Sequence, residues 1–87
     1  MKTIWKFPLA IMDAQRIAMP EGAEILSVQV QHREPCLWAK VNPDAPPEMR
    51  YVRTYGTGHP IDESEAVSFI GTYQLNGGNL VFHVFAK

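Results

Sequence analysis

Apolar positions along the chain recur mostly at a spacing of two, as expected of strands whose side chains alternate between a packed face and a wet one. From Thr3 to Leu9, Trp5, Phe7 and Leu9 share one side, with Ile4 and Lys6 on the other. Pro8 in that run suits an edge or a strand end, because it offers no N–H to a neighbouring strand. The run Ile25–Gln31 alternates most cleanly, and predicts Leu26, Val28 and Val30 facing inward with Ser27, Gln29 and Gln31 facing water. After His32-Arg33-Glu34-Pro35, the segment Cys36–Val41 reads as the returning arm of a hairpin. Met49–Tyr55 is a further strand ending in the glycine-containing segment Gly56-Thr57-Gly58-His59-Pro60. In Val67–Leu75, the residues Val67, Phe69, Tyr73 and Leu75 share a face, and Gly71 between them marks a bulge or a point of close approach. Asn76-Gly77-Gly78-Asn79 is a hairpin turn, and its partner Leu80–Phe85, apolar on both faces, is expected in the centre of a sheet.

One stretch admits two readings. Arg16–Met19, stopped by Pro20 and Glu21-Gly22, reads as a short strand. Ala10, Ala14, Gln15 and Ala18 are good helix residues, so a single helix over residues 9–19 ended by Pro20 is the alternative. The loop Asn42–Glu48, with three prolines and two acids, is an exposed, stiff connector. Six to seven short strands without a long helix predict an all-β fold, either a small antiparallel β-sandwich or a partly closed barrel.

Composition narrows the setting. A chain of 87 residues supports one core and therefore one domain, 1–87, and 46% hydrophobic residues are enough to form that core. The formal charge is -1, so no long positive stripe is available for general nucleic-acid binding, although two or three local donors suffice for one small anion. The single cysteine, Cys36, rules out an internal disulfide and points to the cytoplasm, with the thiol expected in the interior as a small hydrophobe. The N-terminal apolar stretch is broken by Lys6 and Pro8 and has neither the cleavage site of a signal peptide nor the ~20 apolar residues of a membrane helix.

Candidate chemistry is sparse. His32, His59 and His83 lie far apart without Cys, Asp or Glu at metal-ligand spacing, so neither a metal nor a cofactor is expected. His83 reads as a core or interface histidine. His59, Asp62 and Ser64 contain the residue types of a hydrolytic triad but lack the elbow that would frame a nucleophile. Gly56-Thr57-Gly58 begins like a dinucleotide fingerprint, then fails at Ile61. The strand before it is more suggestive. Tyr51, Arg53 and Tyr55 are two apart and share a face, with Thr57, Gly58 and His59 next in line. Such a face suits an anionic ligand: arginine binds a phosphate bidentately, tyrosines stack on a base, and glycine-rich backbone amides cradle the charge. An ordinary exposed sheet face would show the same residues.

The segments Met19–Gln29, Leu37-Trp38-Ala39, Tyr55–Ile61 and Phe69–Leu75 together resemble a family of small uncharacterised proteins of tailed phages and bacterial prophages. The resemblance implies a bacterial cytoplasm and two functional classes, but supplies no catalytic or binding residues. One class is a phage-type accessory binding protein that sequesters a nucleotide or other phosphorylated small molecule, or blocks a host defence component. The other is a virion structural or assembly protein. An enzyme of unrecognised class is a third reading. Strands apolar on both faces suggest a homo-oligomer.

Overall fold

The computed structural model describes residues 1–87, and its regular elements are seven strands with one short turn of 3-10 helix: β1 (Thr3–Pro8), β2 (Ala14–Pro20), β3 (Glu24–Gln31), β4 (Glu34–Val41), β5 (Pro47–Gly56), β6 (Ser68–Leu75) and β7 (Leu80–Ala86), with the 3-10 turn at Asn76–Gly78. They form two antiparallel sheets, one ordered β1-β4-β3 and the other β2-β5-β7-β6. The fold is thus a sandwich, not a partly closed barrel. Residues 14–20 pair with β5 as a strand, and no helix forms over 9–19. Edge pairing outweighs the helix propensity of Ala14, Gln15 and Ala18, since it buries Met19 against the opposite sheet.

The core between the sheets gathers Met19, Val28, Leu37, Val41, Val52 and Val84. Val28 faces inward as the alternation requires, but Leu26 and Val30 are exposed. A shift of register between Ile25 and Ser27 inserts Leu26 as an extra residue against β4, turning Ile25 and not Leu26 toward the core. The β3–β4 hairpin closes through only two residues, His32 and Arg33, with φ of 51° and 69°. Two positive φ values match the twist of a tight hairpin, a conformation usually taken by Asn-Gly. Cys36 is buried as expected, its Sγ donating to the Glu34 carbonyl at 3.5 Å, but it lies outside the inter-sheet core.

β3 and β6 pack closely on one flank, where Gly71 lies so near Val28 that a Cβ there would be 2.8 Å from Val28 Cγ1. A shift of register between Phe69 and Gly71 inserts Ile70 as the extra residue, so Gly71 is the close approach beside a bulge, and Phe69 turns to the outer face while Tyr73 stays in the core, where a shared face was expected. Central placement of Leu80–Phe85 holds: β7 lies between β5 and β6.

Candidate functional site

Val52 and Thr54 point into the core, so Tyr51, Arg53 and Tyr55 share the opposite, outward face of β5. That face is not open. β5 and β6 each run antiparallel to β7, which makes them parallel to each other and separated by β7. Residues 57–67 must therefore travel back along the sheet to begin β6, and the inner face is already filled by the other sheet. The connection instead folds over the outer face. Asp62 N–H donates to Tyr55 Oη at 3.3 Å, and Tyr51 Oη donates to Glu65 Oε1 at 3.3 Å. Arg53 Nε lies 3.7 Å from Glu65 Oε2.

Tyr55 is only 5% exposed in consequence. Its ring holds the Arg53 guanidinium at 4.8 Å and meets the edge of Phe85 at a centroid distance of 5.8 Å. Phe69 continues the aromatic row at 5.4 Å from Phe85. The expected stacking surface for a base is thus occupied within the protein at Tyr55. Arg53 is likewise half-buried, not free at the surface. Burial, reinforced by the Glu65 carboxylate beside it, raises the Tyr51 phenol above its ordinary pKa of 10.0. Arg53 Nε and Glu65 Oε2 are both shut off from solvent without a hydrogen bond, a charge pair held close but imperfectly satisfied.

The glycine-rich half of the candidate site is separate in character. Thr57 Oγ1 donates to the Val81 carbonyl at 3.3 Å and lies 2.8 Å from His83 Nε2, while Thr72 Oγ1 lies 2.9 Å from His83 Nδ1. The two threonine hydroxyls thus flank both ring nitrogens of His83. His83 is accordingly a half-buried histidine of the outer face, satisfied by two threonines, and not the core residue that was one of the two expectations. His59 turns back on its own loop, donating its N–H to the Gly56 carbonyl at 3.1 Å, and its ring lies where a Cβ on Gly56 would be 3.1 Å from Cε1. Gly58 adopts φ of 88° and makes this turn. A shallow cleft of about 250 Å³ runs between Thr57, His59 and Leu80–Phe82. The structure therefore brings Tyr51, Arg53 and Tyr55 together and leaves Thr57, Gly58 and His59 as a neighbouring turn.

Sequence reasoning missed Glu65, Thr72 and Phe85. Glu65 meets Arg53, and Phe85 meets Tyr55, only because β7 lies between β5 and β6, an order that no local pattern encodes; Thr72 faces His83 across the β6–β7 hairpin. No group of three or more His, Cys, Asp or Glu side chains is placed to hold a metal ion.

Over residues 1–87 the sequence matches the family described as domain of unknown function (DUF7352). The chain belongs to that family. No curated protein and no solved structure matches it. No helix is long and apolar enough to cross a membrane.

Proposed function

We propose that this member of the DUF7352 family is a binding protein, not an enzyme, and that it takes a small anionic ligand at the outer face of β5, against Arg53 and Tyr51. The observation that carries this reading is the Glu65 carboxylate, which touches both the Arg53 guanidinium and the Tyr51 hydroxyl. A carboxylate already seated on a cation and a phenol marks a position chemically suited to an anion, and an incoming phosphate offers stronger, bidentate bonds to arginine than Glu65 makes at 3.7 Å. Binding requires the 57–67 connection to lift, since it covers Tyr55 and fills the position with Glu65. A phosphorylated compound carrying an aromatic ring then gains Tyr51 or Tyr55 as a stacking partner. Together with the resemblance to small phage and prophage proteins, this supports an accessory role in the bacterial cytoplasm.

Calorimetric titration against inorganic phosphate and a panel of linear and cyclic nucleotides tests the reading. Glu65→Gln removes the competing charge and tightens binding relative to wild type, whereas Arg53→Ala abolishes it. Arg53→Ala also lowers the melting temperature, because it leaves Glu65 beneath the loop without its cation. Rescue of affinity by Arg53→Lys to an intermediate level separates loss of charge from loss of fold. Equal affinities in wild type, Arg53→Ala and Glu65→Gln place the ligand elsewhere.

A further inference from the structure

β1 is the least buried strand of the sandwich. It pairs only with β4, and Ile4 and Trp5 are 56% and 41% exposed. Its hydrogen-bonding phase follows from one contact: Leu9 N–H donates to the Pro35 carbonyl at 3.0 Å, continuing the register that sets Phe7 opposite Leu37 and Trp5 opposite Ala39. In an antiparallel ladder the bonded pairs alternate, so Thr3, Trp5, Phe7 and Leu9 direct their backbone groups at β4. The even residues Ile4, Lys6 and Pro8 direct theirs at the open edge. Pro8 has no N–H to offer, which ends any further pairing there.

We infer that this edge pairs antiparallel with β1 of a second copy, about a two-fold axis through Trp5, joining two three-stranded sheets into one. Only even residues can bond across the edge, which leaves three central registers. Centring on Ile4 sets Lys6 against Lys2, and centring on Lys6 sets it against its own counterpart. Both place like charges directly opposite, which destabilises a strand pair. Centring on Trp5 sets each Lys6 against an Ile4 and leaves no lysine facing a lysine.

The same register brings the two Trp5 side chains together as a non-hydrogen-bonded pair, the closer of the two kinds. Both lie on the inner side, where Trp5 and Phe7 line an open groove of about 220 Å³ with Met19, Pro20, Pro43 and Pro47. Trp5 is already more than half buried and Phe7 is half-buried, so contact between the aromatic rings of the two copies adds at most about 300–400 Å² of burial. That is below the size of a stable interface, so the dimer forms in a concentration-dependent way at roughly tens to hundreds of micromolar. The two-fold geometry closes the assembly, since each β1 edge is used once.

Sedimentation equilibrium of wild type across that range gives a mass rising from monomer toward dimer. Ile4→Pro, which removes an edge-facing N–H that the monomer does not use, stays monomeric. Its circular dichroism spectrum stays that of wild type, which shows that the fold survives. Trp5→Cys reads the register directly: directly opposed strand residues have Cα atoms about 4.5–5.5 Å apart, within disulfide range, so mild oxidation yields a covalent dimer. Ile4→Cys, offset from its counterpart, cross-links far more slowly, and buried Cys36 stays out of the exchange. A wild type that remains monomeric overturns the proposal. Faster cross-linking of Ile4→Cys than of Trp5→Cys overturns the register.

Discussion

Replacing Gly71 by alanine puts a methyl carbon 2.8 Å from Val28 Cγ1, against the 3.5–4.0 Å of ordinary carbon contacts. Val28 is buried and β-branched, so it has no alternative rotamer that moves Cγ1 away cheaply. Overpacking of this kind costs about 1–3 kcal/mol. Alanine returns about 0.5–1 kcal/mol by restricting the unfolded chain. The net loss is then about 0.5–2 kcal/mol, and a domain of this size loses about 4–8 °C in Tm for each kcal/mol. Val28→Ala removes the obstructing methyl and costs about 2–3 kcal/mol by itself, from lost apolar burial and the cavity left behind. In the Val28→Ala background, Gly71→Ala changes sign and becomes stabilising, by up to about 1 kcal/mol. Urea unfolding of all four proteins, followed by tryptophan fluorescence, measures the cycle. An equal cost for Gly71→Ala in both backgrounds would refute the close β3–β6 seam.

Thr54 carries a buried hydroxyl without a hydrogen-bond partner on the core side of β5, so the near-isosteric Thr54→Val stabilises by about 1 kcal/mol in the same assay; a loss of stability would mean the hydroxyl is satisfied. Arg33→Gly relieves a side-chain-bearing residue held at φ of 69° in the β3–β4 turn and raises the urea midpoint, by about 0.5–1 kcal/mol after the entropy cost of glycine, whereas Arg33→Ala gains nothing. The Ser64 hydroxyl, at 2.5 Å from Asp62 Oδ1, and then the Ser64 amide, at 3.0 Å, hold the Asp62 carboxyl below its ordinary pKa of 3.8. Because the folded pKa is depressed, this contribution is complete above the ordinary value and is lost as pH falls through the folded one. An NMR titration of the Ser64 amide therefore has its midpoint below 3.8, and a midpoint at or above that value refutes the bond.

Local periodicity was sufficient for the strands. Alternation located β1, β3, β5 and β7, the Asn76–Asn79 turn joined β6 to β7, and the apolar faces of Leu80–Phe85 announced a central strand, because each of these signals is carried by neighbours in the chain. Alternation also put Tyr51, Arg53 and Tyr55 on one face. It misplaced Leu26, since a single inserted residue at a bulge reverses the facing of a strand without changing its composition. It left residues 9–19 between strand and helix, because the deciding contact, pairing with β5, lies far along the chain, as between Ala14 and Arg53 or Met19 and Glu48.

The accessibility of the Tyr51, Arg53 and Tyr55 face was decided only by tertiary structure. Sheet order makes β5 and β6 parallel with β7 between them, and that geometry sends residues 57–67 across the outer face. Glu65 then meets Arg53, and Thr57 reaches the His83 ring that Thr72 already faces across the β6–β7 hairpin. Strand patterns record which way a side chain points, because alternation is a property of one strand. What lies above that side chain depends on where the chain returns, and that is a property of the whole sheet.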